Sequence, residues 1–206
     1  TNSSLTSILA KRKKIPIFHL EAGNRSFDQR VPEEINRKIV DHISDINLTY
    51  SSIAREHLLL EGIKPDRIIK IGSPMKEVLD FYSDQINKSD ILNEFKLKKN
   101  NFFVLSCHRE ENLDNDRNFT RIIDCINNIV NTYRLPLVFS VHPRTRKKLN
   151  SLKIKFDSLV KMVDPLGYFD YVNLQKNSLM VISDSGTISE ESSILSFNAI
   201  NLRESH

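Results

Sequence analysis

The sequence predicts an α/β protein built on parallel sheets, and two observations carry that prediction. Short apolar runs of strand length alternate with segments of helical spacing along the whole chain, the pattern of a parallel sheet with helices on its faces. Three dense polar runs begin where such a strand should end: His19-Leu20-Glu21-Ala22-Gly23-Asn24-Arg25, Ser106-Cys107-His108-Arg109-Glu110-Glu111-Asn112, and Ser183-Asp184-Ser185-Gly186-Thr187-Ile188-Ser189-Glu190-Glu191. Open α/β sheets bind ligands at the carboxyl ends of their strands.

Taken in order, residues 4–14 have helical spacing and residues 15–20 read as the first strand. Gly23 lets the chain turn after it without a Cβ clash. Pro32 opens a helix over 32–43, because its fixed φ suits the first helical position, and Glu33 and Glu34 favour the positive end of the helix dipole. Residues 46–50 are a strand, 51–61 a helix stopped by Gly62, and 67–71 a strand ending at Gly72-Ser73-Pro74. The pattern then changes. Residues 75–95 are helical and increasingly polar, Lys96-Leu97-Lys98-Lys99-Asn100-Asn101 is a charged connector, and 102–106 opens a fresh series of strands continued by 137–141, 160–163, 179–183 and 199–202. This series fits a second doubly wound sheet. The expected domains are therefore 1–73 and 74–206, the first holding only the last strands of its own sheet.

Composition excludes several classes of partner. The net charge is +4, from 30 Lys and Arg against 26 Asp and Glu, so the basic residues are dispersed among nearly as many acids. Lys11-Arg12-Lys13-Lys14 and Arg144-Thr145-Arg146-Lys147-Lys148 fall at expected helix ends or loops, where cations complement the dipole, and no aromatic residues interleave with them as a nucleic-acid groove requires. Cys107 and Cys125 are too few for a disulfide framework and lack metal-ligand spacing, and Cys107, at a strand end, is expected to be an inert buried thiol. No apolar run approaches the roughly 20 residues that span a bilayer, and Thr1-Asn2-Ser3-Ser4 is no signal peptide. No nucleic acid, no membrane and a cytoplasmic location are expected.

Glu21 at a strand end and Glu33 on the first turn of the following helix are placed to converge on one cleft, as acid/base work at a single carbon requires. The plain alternative makes Glu33 and Glu34 simple helix N-terminal acids. His108, directly after a buried strand, sits where it bonds a phosphate or acts as an acid near neutral pH; a lone histidine there is otherwise a structural one. Ser185, Gly186 and Thr187 open a helix whose amides suit a diphosphate, and Glu191, one turn in, suits ribose hydroxyls. The alternative is an ordinary helix with a capping box from Thr187 to Glu190. His142, after another strand, reads as packing or support near the same cleft.

These runs, with Asp28-Gln29-Arg30-Val31-Pro32-Glu33-Glu34-Ile35-Asn36-Arg37-Lys38, resemble the signatures of the non-hydrolysing UDP-N-acetylglucosamine 2-epimerases from the first residue to the last, and most closely the branch making UDP-N-acetyl-L-fucosamine. The resemblance implies two Rossmann-like domains facing a cleft in a glycosyltransferase-B-like fold, both incomplete in this chain. The chain would then be an internal piece, without the N-terminal Gly-Thr-Arg-Pro-type loop, the catalytic aspartate upstream of Thr1 and the Glu-Arg-Pro-Glu run beyond His206. It further implies Glu21, Glu33 and His108 as catalytic residues, with Arg25, Arg109, Ser185, Gly186, Thr187 and Glu191 binding substrate. Val163-Asp164-Pro165-Leu166-Gly167-Tyr168-Phe169-Asp170-Tyr171 matches the segment that holds uracil, with Leu166 using backbone groups and Tyr171 its ring face; many relatives have glutamine where this chain has Leu166. The implied reaction inverts C2 of a UDP-linked 2-acetamido sugar for surface polysaccharide synthesis, with no metal or nicotinamide cofactor, in a homodimer when full-length, and with the truncated chain alone inactive. A two-Rossmann glycosyltransferase and a non-catalytic nucleotide-binding fragment are the readings from other classes.

Overall fold

Every strand in the computed structural model runs parallel to its neighbours, so each needs a crossover, and helices fill that role throughout. The structure describes residues 2–29, 32–107, 116–152 and 154–202. Its contacts divide the chain into two units, Thr1–Pro74 and Met75–Arg203.

The first unit runs α1 (Asn2–Arg12), β1 (Phe18–Leu20), α2 (Pro32–Ile43), β2 (Ile46–Thr49), α3 (Ser52–Leu60), a 3-10 turn (Pro65–Arg67) and β3 (Ile68–Lys70). The sheet order is β1-β2-β3, with Phe18 opposite Ile46 and Asn47 opposite Ile68. β1 starts later than the sequence suggests. Pro16 has no N–H to give a ladder, and the Ile17 N–H is taken by the Asp45 side chain at 2.9 Å. The ends of α3 follow rule: Ser51 Oγ accepts from the Ala54 N–H at 3.0 Å, and Gly62, at φ +85°, ends the helix with bonds from Gly62 N–H to Leu59 O and from Ile63 N–H to Leu58 O.

The second unit runs α4 (Pro74–Phe81), α5 (Ser83–Asn87), α6 (Ile91–Glu94), β4 (Phe103–Ser106), α7 (Asp116–Tyr133), β5 (Leu137–Ser140), α8 (Pro143–Ser151), β6 (Val160–Val163), α9 (Tyr168–Asn177), β7 (Met180–Ser183), α10 (Ile188–Leu195) and β8 (Ala199–Asn201). The sheet order β6-β5-β4-β7-β8 is a doubly wound arrangement, and its strand order reverses between β4 and β7. Residues alternate across the sheet: Phe103, Leu105 and Cys107 join Phe119, Ile126 and Leu149 on one face, while Phe102 and Val104 join Leu174, Val181 and Ile188 on the other.

Residues 75–95, expected as one helical stretch, form three short helices. Leu79, Ile86 and Ile91 are their buried residues. In a straight helix Leu79 and Ile86 share a face, but Ile91 falls about 140° away from Ile86. Breaking the helix turns Ile91 into the core beside Phe102 and Val104.

The loop from β1 to α2 is held by buried charge. The Arg25 side chain is fully buried; its Nη1 lies 2.7 Å from Asp41 Oδ2, and its Nε and Nη2 each donate to Glu61 at 2.7 Å. Asp41, also fully buried, accepts from the His19 ring Nδ1 at 2.7 Å and from the Gly23 N–H at 3.3 Å. Burial by itself would lower the Arg25 pKa, yet the bonds and charges of Glu61 and Asp41 outweigh it and leave it above the ordinary value. The hydrogen bond from Arg25 draws Glu61 down to about 2, against the effect of desolvation. α3 closes over the loop, with the His57 Nδ1 bonded to Gly23 O at 3.0 Å.

Gly23, at φ +81°, is the tightest point, because a Cβ there would sit 2.2 Å from the Ala54 carbonyl oxygen. Gly23→Ala should cost roughly 2–5 kcal/mol, from a left-handed backbone and an overlap with rigid main chain. Gly62→Ala, with open space around it, should cost about 1–2 kcal/mol for backbone strain alone. Urea titration of both variants checks the ranking. Glu61 supplies a pH test. Its folded pKa lies below the unfolded one, so its contribution is complete above pH ~4.5 and is lost as pH falls towards 2. The unfolding free energy of Glu61→Gln should accordingly be lower at pH 7 and fall less steeply than wild type between pH 5 and 2.

Candidate functional site

Glu21 is the first residue past β1 and has φ +65°, a left-handed backbone that residues with a Cβ rarely adopt. Its side chain is about half exposed (52%), with Oε1 accepting from Asn24 Nδ2 at 3.0 Å and lying 3.8 Å from Arg37 Nη2. Helical spacing puts Glu33, Arg37 and Asp41 in one row along α2. Asp41 meets His19, and Arg37 meets Glu21. Glu33 is the next step outward in that row and is exposed on the first turn. The strand–helix unit thus brings Glu21 and Glu33 to the same end of β1.

Neighbouring Glu34 has a different job. It is fully buried, its Oε2 accepts from the Ser26 N–H at 2.8 Å and Ser26 Oγ at 3.2 Å, and Lys38 Nζ stands 3.4 Å from Oε1. Desolvation raises its pKa, but these partners outweigh that and hold it below the usual carboxylate range. It ties the loop to the helix. The guanidinium of Arg25, expected as a substrate contact, is buried and engaged by Asp41 and Glu61, where it supports the loop.

In the second unit the strand order reverses between β4 and β7, and their last residues, Ser106 and Ser183, are register partners. Tyr171, from α9, lies beside them. Burial pushes its phenol up to about 12, although both serine side chains act to lower it, and the charges of Glu191 and Asp184 act in the same direction as burial. The ring packs with Leu166 against the core cluster of Phe102, Val104 and Leu174. Burial likewise raises Tyr168, with Glu191 adding to the effect.

The turn after β7 is braced by its own side chains. Ser183 Oγ accepts from the Ser185 N–H at 3.1 Å, and Ser185 Oγ lies 3.0 Å from Thr187 Oγ1. Gly186 and Thr187 are exposed. No capping box forms, because Thr187 Oγ1 donates instead to Glu191 Oε1 at 2.6 Å and makes no cap hydrogen bond to the backbone. The other carboxylate oxygen accepts from Gln175 Nε2 at 2.9 Å. Gln175 is buried, with its Oε1 unpaired, and so holds Glu191 from beneath.

His108 and Arg109 lie outside the described residues. The chain is pinned up to them, since Cys107 is buried and its carbonyl accepts from Thr145 Oγ1 at 3.3 Å. His142, expected to pack or support, is exposed and caps α8 through a bond from the Arg144 N–H at 3.4 Å. The basic run 144–148 occupies the body of α8, beginning in its first turn, and does not cluster at the C-terminal end.

His19, Arg37, Asp41, Glu61 and Gln175 are site supports that the sequence reading did not single out. Arg37 and Asp41 were detectable, since they continue the four-residue spacing from Glu33. Gln175 had no signal, because only the fold brings α9 against α10.

Among the described residues no group of three or more His, Cys, Asp and Glu is arranged to hold a metal ion, and no helix is long and apolar enough to cross a membrane.

The fold recurs in known proteins. The family model for UDP-N-acetylglucosamine 2-epimerase matches residues 1–206. The UDP-N-acetylglucosamine 2-epimerase of Methanococcus maripaludis is 37% identical over 212 residues, covering 99% of this chain and 58% of its own length. Among solved structures, that of the UDP-N-acetylglucosamine 2-epimerase from Rickettsia bellii superposes with a TM-score of 0.85 at 44% identity, covering 100% of this chain and 55% of that one. The Methanocaldococcus jannaschii UDP-GlcNAc 2-epimerase in complex with UDP-GlcNAc and UDP superposes with a TM-score of 0.86 at 35% identity, covering 100% and 58%. The chain thus spans a little over half the length of these relatives. From its first residue to its last, it belongs to the UDP-N-acetylglucosamine 2-epimerase family.

Proposed function

We propose that this chain contributes the acid/base carboxylates and most of the nucleotide site of an enzyme that inverts C2 of a UDP-linked 2-acetamido sugar. The observation that carries the reading is the pair of exposed carboxylates, Glu21 and Glu33, at one end of β1 in a chain of this family. In this reading one carboxylate takes the C2 proton as the anomeric C–O bond breaks and UDP departs. The product of that step is a 2-acetamidoglycal. Re-addition of UDP to C1, with a proton delivered to C2 on the opposite face, completes the inversion and balances the proton. Expulsion of UDP while the proton leaves removes any need to oxidise the sugar first.

The nucleotide is assigned to the switch point of the second unit. The amides opening α10 face the diphosphate, and Glu191, oriented by Thr187 and Gln175, takes the ribose hydroxyls. His108 and Arg109 are assigned to the departing diphosphate, with Leu166 and Tyr171 walling the uracil side. Among substrates we favour UDP-2-acetamido-2,6-dideoxy-L-talose going to UDP-N-acetyl-L-fucosamine, on the run Arg30-Val31-Pro32-Glu33-Glu34-Ile35-Asn36-Arg37 with Ser185-Gly186-Thr187. UDP-N-acetylglucosamine is the second candidate, favoured by the names of the relatives. Product analysis with each sugar nucleotide decides between them.

In the full-length protein, Glu21→Gln and Glu33→Gln should each retain UDP-sugar binding and lower turnover by about 10²- to 10⁴-fold, the range for a lost general acid or base. Reaction in deuterated water should label C2 of the product; turnover without label would exclude the elimination route. Glu191→Ala should weaken UDP binding by roughly 1.5–3 kcal/mol, the contribution of hydrogen bonds to a charged acceptor. Calorimetry reads that loss directly, and unchanged affinity would remove Glu191 from the ribose site.

A further inference from the structure

We propose that the buried Asp41 carboxylate is the positioning group of Glu21, holding it in its left-handed conformation by gripping the chain on both sides, at His19 and at Gly23. The inference rests on the reading of Glu21 as a catalytic carboxylate. A glutamate with φ +65° does not stay there unaided, and such strain persists only where the surroundings over-determine it. Asp41 supplies that constraint. Two residues before Glu21, the His19 ring is bonded to Asp41 Oδ1 at 2.7 Å; two residues after, the Gly23 N–H reaches both Asp41 oxygens at 3.3 Å. Arg25 adds a third hold, 2.7 Å from Oδ2, and through Nη1 it also binds the carbonyl of Asn24 at 2.8 Å. Asn24 is the residue whose side chain bonds Glu21 Oε1.

Asp41 itself sits on α2, two turns beyond Glu33 in the same row. One carboxylate therefore references the loop bearing Glu21 to the helix bearing Glu33. The separation of the two acids is set by a group that need not touch the substrate. Without Asp41, Arg25 keeps its bidentate partner Glu61, so no buried guanidinium is left without a counter-charge. Glu21 is then free to relax to negative φ, which swings its carboxylate away from the position facing Arg37.

The test uses Asp41→Ala in the full-length protein, with three readouts. A crystal structure of the variant should show Glu21 at negative φ; Glu21 still near +65° with its carboxylate unmoved overturns the proposal, whatever the reaction proves to be. Turnover per folded molecule should fall about 10²-fold, as for a misplacement of about 1 Å, with KM and UDP affinity within roughly threefold of wild type. A merely structural Asp41 would lower the melting temperature and leave the turnover of folded molecules intact, which also overturns it. Should Asp41→Ala not fold, the His19→Ala and His19→Asn pair replaces it. The asparagine amide reproduces the donor to Asp41 but lacks Nε2. Loss of turnover in His19→Ala with recovery of most of it in His19→Asn supports positioning through Asp41; equal loss in both overturns it. Absence of epimerase activity in the wild type would remove the functional reading, while the Glu21 backbone in the variant crystal still decides the structural claim.

Discussion

The first unit depends on one arrangement of buried charge: the Arg25 guanidinium between Asp41 and Glu61, with Asp41 also holding His19 and Gly23. Taking these ions out of water is costly, and the cost is offset only when the geometry is tight and every remaining donor and acceptor is used. Here most are. Arg25 makes four contacts: bidentate to Glu61, single to Asp41 and single to the Asn24 carbonyl. The network joins the β1–α2 loop, the second half of α2 and the end of α3. Glu21 and Glu33 are exposed carboxylates on a framework whose rigidity comes from other, buried carboxylates.

The second unit is organised by a different constraint, the doubly wound sheet. A parallel strand buried on both faces is apolar along its length, as β4 and β5 are. Polar residues appear only as these strands end. Ser106 and Ser183 lie side by side where the strand order reverses, with Tyr171 beside them. Glu191 is held by Thr187 and Gln175, and Thr187 is thereby drawn away from capping α10. The same topology that buries Phe102, Val104 and Val181 thus leaves a row of hydroxyls and one oriented carboxylate at the mouth of the sheet.

Much of this was legible residue by residue. Pro32, Glu33 and Glu34 announce a helix start, and α2 covers the expected 32–43. Ser51 and Gly62 bracket α3 by cap chemistry that is local to the chain. β6 matched its apolar run at both ends. What was not legible depends on partners distant in sequence. The stretch 75–95 has helical composition throughout, and only the direction from which the core lies shows that Ile91 must turn relative to Ile86. Pro16 shortens β1 because Asp45 captures the neighbouring N–H. Arg25 looks like a ligand contact in a polar run, and its commitment to Asp41 and Glu61 spans 16 and 36 residues.

By itself the sequence determined the parallel α/β class, the order of strands and helices, the family, and the short runs that carry the candidate chemistry, because periodicity, capping and motif spacing are properties of neighbouring residues. The tertiary structure decided which of those polar residues are exposed and which are internal. Adjacent Glu33 and Glu34 differ only in which side of α2 they occupy, and Arg25 and Arg37 only in what the fold puts beside them. Burial and pairing across the chain are collective outcomes of packing, and they separate a carboxylate open to substrate from one that holds the loop in place.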